Sequence, residues 1–191
     1  MKSVFIGGIF KMTKVGLVVG SIRKDSFSER VAKALVSLLP EGYEVEYLQI
    51  DHLPLYSQDS DENSPQEYVD FREKVAAQDA LIFVTPEHNR SVPAALKNAL
   101  DAASRPYGEN KWARKPALIA SQSPGAISGF GANHHLRQML TFLDVPVVQQ
   151  PEVYIADTPS LFDEDGKFLQ DGTKEVLQSA VNELVDLVDK Q

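Results

Sequence analysis

The sequence contains no cysteine and no excess of positive charge. The missing cysteine excludes disulfides, thiolate metal sites, iron–sulfur clusters and cysteine nucleophiles, and it suits a reducing cytoplasm, where we expect the protein to work. Lys and Arg number 19 against 27 Asp and Glu, which gives a net charge of −8. Because binding to nucleic acid or to an anionic membrane requires clustered cations, we expect neither partner. No apolar run approaches the ~20 residues of a membrane span.

The chain has 191 residues, 43% of them hydrophobic, which predicts one globular domain. We assign residues 14–191 to this domain and residues 1–13 to an N-terminal extension. The apolar patch within the extension lacks the cleavage site of a signal peptide. Met12 directly precedes a strand-like segment, so we interpret residues 1–11 as a mis-assigned start or an added extension. The alternative is that they form an additional strand.

Strand-like and helix-like segments alternate along the rest of the chain. The spacing of apolar residues predicts buried strands at 15–20, 80–85 and 116–121, an edge strand at 43–50, and a last strand, continuous or broken, across 146–148 and 153–155. Helices are predicted at 28–39, 65–77 with Ser64 as N-cap, 94–104, 133–143 and 173–190. Five strands alternating with five helices predict an open α/β sheet.

Three polar loops follow the buried strands, at residues 20–28, 85–93 and 121–125. In open parallel sheets, ligands bind beyond the carboxyl ends of the strands, where the strand order reverses. All three loops are rich in small and turn-forming residues. We therefore expect them to meet at one edge of the sheet and to form the binding site.

The first loop has the composition of a phosphate site. It supplies the hydroxyls of Ser21, Ser26 and Ser28, the guanidinium of Arg23 and a helix N-terminus, all of which favour an anion. It matches neither the Walker loop nor GxGxxG, so a nucleoside triphosphate or a Rossmann dinucleotide is not expected here. The alternative is an ordinary helix cap, at Ser26 or Ser28, with an exposed Arg23.

Other candidate side chains do not form a recognisable catalytic set. The sequence has no G-x-S-x-G elbow, which disfavours a serine hydrolase. His134 and His135 are adjacent and therefore point to different sides of a helix, and His52 stands alone, so no metal site is expected. The segment 163–166 lacks the remaining ligands of a calcium loop and is predicted to be a turn of a small hairpin.

Two motifs at this spacing resemble a known family. Gly20 to Ser26 fits a GSxRxxS pattern, and Thr85 to Pro93 followed by Leu96 to Asp101 fits a TPEYN-S-(I/V)-P…LKNA-(I/L)-D pattern. An SPG segment at 123–125 and an HLRQ helix at 135–138 complete the match. Over roughly residues 14–189 the chain resembles the NADPH-dependent FMN reductase family, flavodoxin-like proteins that include quinone, azo-dye and chromate reductases.

The resemblance implies a fold and a cofactor. The fold is a flavodoxin-like, doubly wound, five-stranded parallel sheet in a three-layer α/β/α sandwich. The cofactor is FMN, with NADPH or NADH as co-substrate. The implied cofactor-binding residues are Ser21, Arg23, Ser26, Phe27 and Ser28 at the phosphate, Pro86, Glu87, His88 and Asn89 along the isoalloxazine edge, and Ser121, Gln122 and Ser123 on the other side.

The resemblance also implies an activity. The nicotinamide passes hydride to the flavin N5, and a small-molecule acceptor then takes two electrons from the same face, in a ping-pong cycle. No side chain is expected to be an indispensable acid or base. The alternatives are a flavodoxin-type electron carrier, or a flavin-free protein on the same fold. A homodimer or homotetramer is implied, with Phe130, Trp112 and Tyr107 as candidate loop aromatics near the interface.

Two positions depart from the family pattern. Residue 88 is His where the family has Tyr, and residue 131 is Gly where the family has Arg. These departures bear on nicotinamide preference, on acceptor choice and on the subunit interface. They do not touch the phosphate loop.

Overall fold

The computed structural model describes residues 12–163 and 168–191 and contains one sheet of five parallel strands in the order β2-β1-β3-β4-β5. This order is that of flavodoxin-like folds, so the predicted fold is confirmed. The strands are β1 (Thr13–Val19), β2 (Tyr43–Tyr47), β3 (Ala80–Pro86), β4 (Ala117–Gln122) and β5 (Val153–Ile155). The helices are α1 (Phe27–Val36), α2 (Gln66–Ala76), α3 (Ala94–Ala103), α4 (Phe130–Phe142) and α5 (Asp171–Asp189).

Burial explains the order of the strands. Every residue of β4 is buried, and β3 is buried up to its last residue, as expected for strands covered by helices on both faces. The charged, half-exposed β2 lies at one edge. Helices α1 and α5 pack on one face of the sheet, and α2, α3 and α4 pack on the other. Among the described helices, none is apolar over a stretch that would cross a bilayer.

Trp112 belongs to the core and not to an interface loop, which corrects the expectation from sequence. Its side chain is fully buried between Phe71 and Phe83, with ring centroids 5.9 and 5.8 Å away. Its indole Nε1–H donates to the carbonyl of Leu100 at 3.1 Å. Tyr107, by contrast, is 92% exposed.

The start of α4 and the N-cap of α2 differ from the predictions. Helix α4 begins at Phe130 and not at residue 133, after Gly129 with φ +74°. Ser64 does not cap α2, because its hydroxyl donates to the carbonyl of Ser60 and accepts from Arg72. The remaining helix starts lie within two residues of their predicted positions.

The last strand is the broken alternative. Only Val147 of the segment 146–148 bridges to β4, while β5 comprises Val153–Ile155. The predicted turn at 163–166 lies, apart from Asp163, outside the described residues, and Phe162 and Phe168 on either side form an antiparallel bridge. Residues 1–11 also lie outside them, so the proposed extension stays a prediction.

Trp112→Ala should lower the free energy of unfolding by about 3–5 kcal/mol, because a large buried ring and its hydrogen bond are both lost. Tyr107→Ala is the matched control and should change stability by less than about 0.5 kcal/mol, since the ring is exposed. Urea unfolding measures both changes. Equal stabilities of the two variants would contradict the placement of Trp112 in the core.

Candidate functional site

A cleft of about 550 Å³ lies at the carboxyl ends of β1, β3 and β4. It lies where β1 and β3 are neighbours in the sheet, which is the point where the strand order reverses. Its volume is in the range of small-molecule sites. Of the residues predicted from sequence, those that line it are Ser21, Arg23, Ser26, Phe27, Pro86, Glu87, His88 and Gln122.

The first loop presents a helix start and a free cation to this cleft. Ser26 is the N-cap of α1, and its Oγ accepts from the Glu29 N–H at 3.1 Å. The Arg23 guanidinium is exposed and has no partner within residues 12–163 and 168–191. Phosphate is well matched to such a set, because backbone N–H groups and a guanidinium both donate to its oxygens. The loop therefore fits the FMN phosphate.

Ser28 lies below the cleft and does not line it. It is fully buried, and its Oγ accepts from the Gln122 side-chain Nε2 at 2.9 Å. The Gln122 Oε1 in turn accepts from the Thr158 hydroxyl at 3.0 Å. The three buried side chains join α1, the end of β4 and the segment after β5. Ser28 thus supports the phosphate loop from behind, and Gln122 both lines the cleft and holds this network.

The second loop is a tight hairpin turn. His88 and Ser91 exchange two backbone hydrogen bonds of 2.9 Å, and Asn89 and Arg90 between them have φ of +50° and +67°. Glycine is common at such positions, and a positive φ at Arg90 carries backbone strain. His88 lines the cleft, whereas Asn89 lies outside it and lines a neighbouring groove.

Glu87 connects this loop to the start of α4. Its side chain is 12% exposed and receives the Arg90 guanidinium at 2.9 Å and the Ala132 N–H at 3.2 Å. Gly129, the N-cap of α4, has no side chain, so the Glu87 carboxylate caps the helix from another element. The side chain of Glu87 is therefore committed to these contacts, with Oε2 on α4 and Oε1 on Arg90.

The missing arginine at position 131 has a structural reason. A Cβ on Gly131 would lie 2.9 Å from the Arg90 carbonyl oxygen and 3.0 Å from the Glu87 Oε2. Such distances leave no room for any side chain without moving the backbone of the second loop. Glu87 nevertheless has a cationic partner, because the guanidinium of Arg90 in the same loop pairs with its carboxylate.

The third loop contributes less to the cleft than the sequence predicted. Ser121 is fully buried, and its Oγ donates to the Ser128 carbonyl at 3.0 Å. The Ser123 Oγ accepts from the Gly125 N–H at 3.1 Å and closes a local turn. Sequence reasoning missed Ile22, the start of α3 at Ala94 and Ala95, and the wall formed by Pro93 and Pro124. These residues lie within or directly beside the three loops in the sequence, and this closeness was the only feature of the sequence that could have identified them.

The histidines outside the cleft have other partners. His135 Nδ1 lies 3.0 Å from the Ser91 hydroxyl, and His134 Nε2 lies 3.1 Å from the Tyr154 hydroxyl. Burial and a 2.6 Å hydrogen bond donated to Glu152 raise the pKa of Tyr154 to about 12, so this hydroxyl stays protonated. Across the described part of the chain, no three His, Asp or Glu side chains gather as a metal site.

Comparison with protein families gives one match across most of the domain. The model of the family described as NADPH-dependent FMN reductase matches residues 13–159. This span contains β1 to β5 and all three loops of the cleft.

Individual relatives are similar over nearly their whole length. A quinone reductase from Pseudomonas putida is 50% identical and aligns over 91% of this chain and 94% of its own. A 2-hydroxy-1,4-benzoquinone reductase from Burkholderia sp is 44% identical over 87% of this chain and 91% of its own. Among solved structures, the NAD(P)H:(acceptor) oxidoreductase FerB from Paracoccus denitrificans superposes with a TM-score of 0.87 at 35% identity, covering 93% of this chain and 98% of its own.

Glu87→Ala should lower the free energy of unfolding by about 1 kcal/mol, the typical cost of losing a helix cap. The variant leaves the Ala132 N–H and the Arg90 guanidinium without their acceptor. Glu109→Ala is the control, because its pair with Lys111 is exposed and contributes little. If both variants unfold at the wild-type urea midpoint, Glu87 does not cap α4.

Proposed function

The chain belongs to the NADPH-dependent FMN reductase family, and on this premise we propose that it reduces quinones with electrons from NAD(P)H. It is an FMN-dependent oxidoreductase, and the flavodoxin-type carrier is not favoured. When bound, FMN would supply the redox chemistry, namely hydride acceptance from the nicotinamide and two-electron transfer to the acceptor. The observation that carries the proposal is the cleft, which is lined by the capped start of α1, by Pro86 and His88 of the second loop, and by Arg23, whose guanidinium has no partner among the described residues.

We propose that the first loop holds the FMN phosphate. Arg23 and the hydroxyl of Ser21 line the cleft, and the α1 N-terminus offers backbone N–H groups there. Pro86, His88 and Gln122 border the space left for the ring system. Ser28, Ser121 and Ser123 support these loops through their own hydrogen bonds. Asn89 acts by forming the turn that presents His88.

Arg23→Ala should weaken FMN binding by ~1.5–3 kcal/mol, because charge-assisted hydrogen bonds to the phosphate are lost. Quenching of FMN fluorescence by the apoprotein measures the affinity. Arg30→Ala is the control, because Arg30 lies on α1 outside the cleft, with its guanidinium 5.5 Å from the Phe27 ring. Wild-type FMN affinity in Arg23→Ala would remove Arg23 from the phosphate site.

Quinones fit the acceptor side of the cleft. The walls near His88 are formed by Pro93, Ala94 and Ala95, which are small and uncharged. A flat, neutral ring can lie there against the flavin without desolvating a charged side chain. The relatives described as quinone reductases support the same acceptor class.

Steady-state assays with NADPH should give a higher kcat/KM for benzoquinones than for azo dyes, free FMN or chromate. Initial rates at several quinone concentrations should give parallel double-reciprocal lines, since the nicotinamide product leaves before the acceptor binds. A higher kcat/KM for any of the other acceptors, at equal enzyme and NADPH, would contradict the quinone assignment.

A homodimer or homotetramer remains part of the proposal. A groove of about 890 Å³ runs between α3 and α4 beside His88, and Phe142 on its rim is 89% exposed. Exposed apolar area of this kind is typical of interfaces. A second copy covering the groove would bring the subunit contact next to the flavin. A cytoplasmic location likewise stays a prediction.

Phe142→Glu should shift the assembly towards monomers in light scattering, because a buried charge would oppose the contact. Leu55→Glu, at an 86% exposed position outside the groove, should leave the assembly unchanged. A wild-type protein that is monomeric at all concentrations would contradict the proposed contact.

A further inference from the structure

A second cleft, of about 240 Å³, lies on the other side of the first loop. It is found at the carboxyl ends of β1 and β2, with an aliphatic floor that includes Leu17 and Leu48 and a wall formed by Tyr47. The cleft of about 550 Å³ that we propose for FMN is called the FMN cleft below. Both clefts are lined by Ser21, Ile22 and Arg23. The two spaces are therefore adjacent across a single short segment of chain.

The rim of the second cleft carries both signs of charge, and its carboxylate Glu29 is already paired with Lys33 at 2.8 Å. Lys24 lines this cleft but not the FMN cleft, and its ammonium has no partner among the described residues. A cation thus remains there after Arg23 is assigned to the FMN phosphate. An unpaired cation beside a cleft attracts an anionic group of a ligand.

The same rim carries an acceptor for hydroxyl groups. The Asp51 side chain lines the cleft and is 61% exposed, and the His52 ring Nδ1 lies 3.5 Å from its Oδ1. An exposed carboxylate just beyond the second strand is a chemically suitable partner for the hydroxyls of a ribose. Tyr47, the last residue of β2, is 37% exposed and can offer its ring to a nucleobase.

We propose that this second cleft binds the adenosine half of the nicotinamide co-substrate. The adenine packs against the Tyr47 ring, Asp51 accepts hydrogen bonds from the ribose, and Lys24 faces the bridging phosphates. The nicotinamide half then reaches the FMN cleft across Ser21 and Ile22. The inference rests on the placement of FMN proposed above. Asp51 can accept from both hydroxyls of the NADH ribose but only from the 3′-hydroxyl of NADPH, whose 2′ position carries a phosphate.

Tyr47→Ala tests the inference when donors with and without adenosine are compared on FMN-loaded protein. KM for NADPH and for NADH should rise about tenfold, the factor expected for one lost base–aromatic stacking contact. KM for reduced nicotinamide mononucleotide, which lacks the adenosine half, should stay at the wild-type value. Tyr47→Phe keeps the ring and should restore the wild-type KM for NADPH. Tyr43→Ala, on the same strand but outside the cleft, is the control.

Lys24→Ala provides a second test on an exposed loop position, where the change is not expected to affect folding. It should raise KM for NADPH and NADH while leaving FMN affinity unchanged. Unaltered KM values for both dinucleotides in Tyr47→Ala and Lys24→Ala would overturn the adenosine site and leave the proposed function intact. A wild-type protein that oxidises none of the three donors would overturn the proposed function as well.

Discussion

The geometry of the site depends on the two hydrogen bonds made by the buried side chain of Gln122. Its amide donates to Ser28 at the start of α1 and accepts from Thr158 after β5. All three side chains are at least nine-tenths buried, so leaving any of these polar groups unpaired would be costly. The network fixes the phosphate loop relative to the third loop, while the parallel pairing of β1, β3 and β4 brings their ends to one edge.

A second contact fixes the position of the second loop. Glu87 joins the second loop to the start of α4, and Arg90 covers the carboxylate from the solvent side. The strained turn at Asn89 and Arg90 is held in place by these partners and by the His88–Ser91 hydrogen bonds. Both walls of the cleft are thus held by contacts within the protein itself, and such fixed walls reduce the entropic cost of binding.

The sheet and the loops were predictable from sequence because each depends on local patterns. Continuous apolar runs predicted β3 and β4, and the polar loops after them follow from strand order alone. Side-chain direction was not predictable in the same way. Whether Ser28 faces the cleft or the interior depends on Gln122, which is distant in sequence, and Ser121 is turned inward by Ser128 in the following loop. The early start of α4 and the burial of Trp112 depend on partners that are also distant in sequence, namely Glu87 for α4 and Phe71 and Phe83 for Trp112.

We propose that the three loops together hold one flavin that NAD(P)H reduces. The decisive measurement is an anaerobic visible spectrum of the protein after it has been saturated with FMN, freed of excess FMN and mixed with NADPH. We expect the protein to retain a bound-flavin band that bleaches on mixing. A retained band that neither NADPH nor NADH bleaches would contradict the reductase assignment, and a colourless protein would contradict the flavin site itself.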